Sequence, residues 1–142
     1  MCTFNGERYL EHQLGSIATQ TRVPDELVVS DDGSTDSTME IIEKVSASGT
    51  LPIEISVTPR RLGPTGNYEQ AIARCRGDLI ILCDQDDVWL PERVARLENV
   101  FESSPELGFA FSDAYLVGSQ GLGSPLGLPR PFDATGYRGR LE

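Results

Sequence analysis

The sequence predicts an α/β sandwich with a mostly parallel sheet flanked by helices. Two observations carry this. Short apolar runs alternate with stretches of helical period over residues 1–117, the signature of strand–helix–strand units. One run, Leu79 to Cys83 (LIILC), is continuously apolar, as expected of a central parallel strand covered on both faces.

The elements follow in order. Met1 to Phe4 reads as the end of a strand. Glu7 to Gln20 reads as a helix, because Leu10, Leu14 and Ile17 fall on one stripe, with Asn5 as its cap. Leu27 to Ser30 (LVVS) is a short buried strand, and Asp31 to Thr35 a tight turn around Gly33. Ser37 and Glu40 have capping-box spacing before a helix whose apolar face is Ile41, Ile42 and Val45, ended by Gly49. Ile53 to Val57 alternates like a strand. A Gly- and Pro-containing loop, Pro59 to Gly66, leads to a helix over Asn67 to Cys75. After the LIILC strand and a turn, Pro91 opens a helix at its tolerated first position, with Val94, Leu97, Val100 and Phe101 inward. Gly108 to Phe111 and Tyr115 to Val117 read as further strands. From Gly118 the chain holds six Gly and three Pro and has almost no period, so 118–142 reads as a loop or tail.

Composition excludes several classes. With 12 basic and 22 acidic residues the net charge is −10, which argues against a nucleic-acid partner. The longest apolar run has five residues, far short of a bilayer span. The chain opens on no charged-then-apolar leader. Three cysteines without CxxC spacing read as reduced thiols of a cytoplasmic protein. Zinc is disfavoured, since His12 is the one histidine.

Three strands end in polar groups: Thr3-Phe4-Asn5, Asp31-Asp32, and Asp84-Gln85-Asp86-Asp87. In parallel sheets ligands sit at the carboxyl ends of strands. Convergence there would gather up to five carboxylates, and such a cluster calls for a cation. Hard oxygen ligands favour Mg²⁺ or Mn²⁺, with substrate phosphates completing the shell. The bland alternative is that the acids cap turns and helices, and it weighs most for Asp31 and Asp36. No GxGxxG or P-loop is present, which leaves a metal as the handle for a diphosphate.

The blocks CTFNGERYLEHQLGSI, LVVSDDGSTDST and GDLIILCDQDDVWLPERV, in this order, resemble glycosyltransferase family 2 over residues 1 to about 117. CDQDDVW is most similar to the bacterial rhamnosyltransferase-like members. The resemblance implies the GT-A nucleotide-diphospho-sugar transferase fold, with 1–117 as the donor-binding part and 118–142 at the start of the acceptor region. It implies nucleotide-sugar contacts by Thr3, Asn5, Asp32, Gly63, Asn67 and Asp84. It makes Asp84 and Asp86 the metal ligands, Asp87 their neighbour, and Trp89 and Pro91 a hydrophobic latch. For Trp89 a core anchor is the stronger reading.

The implied reaction is sugar transfer, inverting and metal-dependent, from a UDP- or dTDP-sugar to a glycan or lipid-linked acceptor in surface polysaccharide synthesis. The family's catalytic base lies in a later motif that this sequence does not contain, so the base stays unassigned, with Asp113 and Asp133 as weak candidates. The family's first strand is also longer, and the chain is expected to be incomplete at both ends. Two other classes stay open on these residues. One is a donor-binding module without turnover. The other is a haloacid-dehalogenase-like phosphatase, for which DQDDV fits the nucleophile but no Lys follows it; a response-regulator receiver lacks the same Lys. Peripheral membrane association at the inner face rests on resemblance alone. A homodimer is expected only if the short first strand leaves an open edge.

Overall fold

The computed structural model describes residues 1–112, 114–116 and 130–131. The chain divides into two units, Met1–Pro105 and Glu106–Glu142. In the first, the elements are β1 (Cys2–Thr3), α1 (Glu7–Ala18), β2 (Leu27–Asp31), α2 (Thr38–Ala47), β3 (Ile53–Val57), α3 (Gly63–Ile72) and α4 (Arg93–Ser103).

The sheet is parallel in the order β1-β2-β3. β2 pairs with β3 from Leu27–Ile53 to Asp31–Val57, and with β1 at Ser30–Cys2 and Asp31–Thr3. All five residues of β2 are buried. Helices α1 and α2 lie side by side, while α3 packs on β1 and β2, so both faces of the middle strand are covered. The expected α/β sandwich is therefore what the chain forms.

The core follows from the helical stripe. Leu10, Leu14 and Ile17 of α1 are at most 1% exposed and join Leu27, Val29, Ile42 and Leu51. Each such side chain stabilises the fold by about 1.5–3 kcal/mol when fully buried.

Several details differ from the sequence reading. The α1 cap is Gly6, not Asn5. Asn5 adopts a left-handed φ of 49° and turns its carboxamide to accept the Thr35 N–H at 2.9 Å. Helix α2 is entered without a capping-box bond from Ser37. The preceding acid does the work: Asp36 Oδ1 accepts the Thr38 N–H at 3.0 Å, and Oδ2 accepts the Glu7 N–H at 3.1 Å. Helix α3 starts four residues early, at Gly63, whose φ of 73° lets the loop turn into the helix. Helix α4 starts at Arg93, and Pro91 stays in the turn before it, its carbonyl accepting the Thr21 N–H. Of its expected inward face, only Val94 is buried.

The largest correction concerns Leu79–Cys83, which is not a strand. A strand needs a neighbouring backbone to complete its ladder, and β1 offers only two residues. Beside 79–83 lies instead a cavity of about 290 Å³, lined by Met1, Leu27, Val28, Ala71 and the run itself. Ile80 and Leu82 are left 42% and 57% exposed.

In the second unit, residues 108–111 form no strand. Two-residue strands β4 (Tyr115–Leu116) and β5 (Arg130–Pro131) pair antiparallel. Asp113 and Asp133, and most of 118–142, lie outside the described residues. Among the described residues, no helix is long and apolar enough to cross a membrane.

Candidate functional site

The carboxyl edge of the sheet carries the polar residues, and they fall into two groups. The first is inward and spent on structure. Asp31 is fully buried. Its Oδ2 accepts the hydroxyls of Thr3 at 2.7 Å and Ser34 at 2.6 Å, and its Oδ1 accepts the N–H groups of Gly33 at 3.1 Å and Ser34 at 2.7 Å. It builds the turn in which Gly33 takes a φ of 82°. Thr3, 1% exposed, is thereby fixed under the turn.

Asp32 is also buried, at 4% exposure. Oδ1 accepts the Leu62 N–H at 2.7 Å and the Thr58 hydroxyl at 3.0 Å, and Oδ2 accepts the Gly63 N–H at 2.9 Å. Arg61 Nε stands 4.0 Å from Oδ2. Burial pushes this carboxyl's pKa up, but the two N–H groups, the Thr58 hydroxyl and Arg61 together outweigh it and hold the group below the usual range. The Arg61 guanidinium also lies over the Phe4 ring, 3.7 Å from its centroid, joining the end of β1 to this loop.

Asn67, one turn into α3, is 3% exposed. Its Nδ2 donates to the Ser30 carbonyl at 2.9 Å. Its Oδ1 and the nearby Ser30 Oγ are buried without a protein partner.

The second group is the acidic loop. Asp84, Asp86 and Asp87 are exposed. The Tyr68 hydroxyl donates to Asp84 Oδ1 at 2.5 Å and also lies 3.0 Å from the Cys83 carbonyl. Burial, together with the bond to Asp84, pushes the Tyr68 pKa far up, so it remains a donor. Burial also raises the Asp87 carboxyl, and the charges of Asp84 and Asp86 add to that, with Arg93 opposing. The loop is thus a local concentration of negative charge.

Three amides hold this loop on the domain. Gln85 accepts the Phe4 N–H at 2.9 Å and donates back to the Phe4 carbonyl at 3.2 Å. Gln20 donates to the Leu90 carbonyl at 2.8 Å and accepts the Val94 N–H at 3.1 Å. Gln13 is fully buried and its amide has two orientations to choose from. In one, Nε2 faces Cys83 Sγ at 2.9 Å. In the other, Nε2 donates to Ser16 Oγ at 2.9 Å and to the Asp87 carbonyl at 2.7 Å, and Oε1 accepts from Trp89 Nε1 at 3.2 Å. The second gives every donor an acceptor and is the orientation the surroundings select. Trp89, 8% exposed, is accordingly a core anchor with its N–H bonded.

The expected convergence of five carboxylates does not occur. Asp31 and Asp32 are consumed by N–H and hydroxyl donors, so only the Asp84–Asp87 acids remain outward. Among the described residues, no three acidic, His or Cys side chains are placed to hold a metal ion together. Asp84 and Asp86, two of these three exposed acids, would still suit a Mg²⁺-type ion, which takes one or two carboxylates from the protein and the rest from phosphate and water.

The sequence reading missed Tyr68, Gln13, Gln20 and Gln85. Gln13 carried a signal: it sits three residues after Leu10, inside the apolar stripe of α1, where a polar residue must find buried partners.

The chain is similar to known proteins over most of its length. The model of "Glycosyl transferase family 2" matches residues 1–116. The dTDP-rhamnosyl transferase RfbG of Shigella flexneri is 36% identical over 98 residues, covering 66% of this chain and 34% of its own. An uncharacterized glycosyltransferase of Nostoc sp. is 30% identical over 105 residues, 74% of this chain and 32% of its own. The crystal structure of S. aureus TarS 1-349 in complex with UDP-GlcNAc superposes with a TM-score of 0.66 at 29% identity, over 72% of this chain and 30% of that one. The chain spans about a third of the length of the curated relatives it matches.

Proposed function

The chain belongs to glycosyl transferase family 2, and from that membership we propose that it is the donor-binding part of a glycosyltransferase that uses a nucleotide-diphospho-sugar. The observation that carries this reading is the acidic loop. Asp84 and Asp86 are outward carboxylates, and Asp84 is oriented by the Tyr68 hydroxyl at the carboxyl edge of a parallel sheet. The names of the relatives support a nucleotide-sugar donor. RfbG is named a dTDP-rhamnosyl transferase, and TarS has been crystallised with UDP-GlcNAc. A UDP- or dTDP-sugar is therefore the proposed donor, and a surface glycan or lipid-linked sugar the proposed acceptor.

In this reading Asp84 and Asp86 would hold Mg²⁺ or Mn²⁺, and when bound such an ion would offset negative charge on a diphosphate. The chain's own residues prepare that place. Tyr68 keeps the Asp84 carboxylate turned outward. Asp32 fixes the 58–63 loop and the first turn of α3, so that the nucleoside meets a rigid wall carrying Asn5, Phe4, Arg61 and Gly63. Asn67 ties α3 to the end of β2. An in-line transfer with inversion passes through an oxocarbenium-like state. It also needs a base on the acceptor side.

The experiment is nucleotide release from a panel of UDP- and dTDP-sugars with Mn²⁺ and simple glycan acceptors. Release of nucleoside diphosphate that Asp86→Ala abolishes supports transfer. Binding of donor with no release under any acceptor would favour a donor-binding module instead.

A further inference from the structure

We propose that Gln85, between the two outward acids, is a positioning residue that sets the acidic loop on the end of β1, and that Gly6 lacks a side chain in order to admit it. The inference rests on the reading of Asp84 and Asp86 as donor-site acids.

The Gln85 amide makes both bonds that a neighbouring strand would make to one residue. Its Oε1 accepts the Phe4 N–H at 2.9 Å, and its Nε2 donates to the Phe4 carbonyl at 3.2 Å. Phe4 directly follows Thr3, the last paired residue of β1. The segment that leads into the acidic loop, 79–83, has no ladder of its own. The amide therefore supplies a ladder step where backbone pairing is missing. Because Asp84 and Asp86 flank it in sequence, fixing Gln85 fixes the direction in which both carboxylates leave the loop.

Gly6 is explained by the same contact. Its φ is −103°, a conformation open to any residue, so backbone freedom does not require glycine there. Space does. A Cβ at position 6 would lie 2.3 Å from Gln85 Oε1 and 2.6 Å from its Cδ. Alanine at position 6 must expel the amide from Phe4.

The test combines two readouts on the full chain: hydrogen exchange of the Phe4 amide, and calorimetric binding of UDP with Mn²⁺. The set is wild type, Gln85→Ala, Gln85→Glu, Gly6→Ala and the Gly6→Ala/Gln85→Ala double variant. The proposal expects Phe4 exchange to quicken at least tenfold in Gln85→Ala and in Gly6→Ala. It expects Mn²⁺–UDP affinity to fall at least tenfold in both, with thermal midpoints near wild type. The double variant should be no worse than Gln85→Ala, since no clash remains. Gln85→Glu keeps an acceptor for the Phe4 N–H but cannot donate to the Phe4 carbonyl, so both readouts should fall between wild type and Gln85→Ala. Additive losses in the double variant, or wild-type affinity in folded Gln85→Ala, overturn the positioning role. Wild type that binds no UDP while its Phe4 amide is protected overturns the donor-site reading and the positioning role with it, but leaves the clamp itself standing.

Discussion

Asp32 Oδ2 accepts the Gly63 N–H at 2.9 Å, so a buried carboxylate at the end of β2 holds the first residue of α3. Through Oδ1 the same side chain takes Leu62 and Thr58. Replacing it with Asn puts an NH₂ group against an N–H and leaves a buried donor unsatisfied. Asp32→Asn is expected to destabilise the domain by about 1–3 kcal/mol, read as a lowered urea midpoint, and to weaken UDP binding through the loosened 58–63 loop.

Acid should weaken the fold through carboxylates that accept backbone N–H groups. Asp32 is held below its ordinary range despite its burial, by Leu62, Gly63, Thr58 and Arg61. Glu26 is lowered chiefly by the Arg76 N–H, with burial opposing and Gly77 assisting. A folded pKa below the unfolded one means that the unfolded chain binds the proton first. The stabilisation is therefore complete above the ordinary carboxylate range and is lost as pH falls through the folded values. The thermal midpoint should be level above about pH 5 and decline below it, and Asp32→Asn should flatten that decline.

Gln13→Ala should damage the acidic loop from beneath. It leaves the Asp87 carbonyl and Trp89 Nε1 without their partner. A loss of about 2–4 kcal/mol is expected from the cavity together with the unpaired groups. Trp89 is the one tryptophan, so a red shift of native fluorescence would report the opened site directly.

Tyr68→Phe removes the hydroxyl that orients Asp84. Asp84 is exposed and water can replace the lost bond, so stability should change by less than about 1 kcal/mol. Affinity for Mn²⁺–UDP should fall severalfold, as calorimetry would show.

The thiols should be sluggish. Burial pushes Cys83 and Cys2 up to about 11 and raises Cys75. At pH 7.5 a thiol with that pKa is thiolate in roughly one molecule in 3,000. Native iodoacetamide labelling should be slow at all three, and fast in denaturant. Rapid native labelling of Cys83 would contradict the packing described here.

The sequence made α1 and α2 legible because each buries a periodic apolar face, β2 because its short apolar run is buried throughout, and β3 because its residues alternate in type. Leu79–Cys83 misled, since a continuous apolar run signals burial and cannot supply the neighbouring backbone that a strand needs. At the site, the outward direction of Asp84 and Asp86 was readable from their place after that run. The fate of Asp31 and Asp32 was not, because whether an acid faces solvent or a loop's N–H groups depends on contacts thirty residues away, Thr3 and Gly63 among them. The amides of Gln13, Gln20 and Gln85 escaped for the same reason: their partners are backbone groups that carry no sequence label.

The most direct measurement is calorimetric titration of UDP and dTDP, each with and without Mn²⁺, into wild type and Asp86→Ala. The account predicts binding that needs the metal and disappears in Asp86→Ala while the variant stays folded. Binding that ignores both the metal and Asp86, or no binding to folded wild type, would contradict a donor site at the acidic loop.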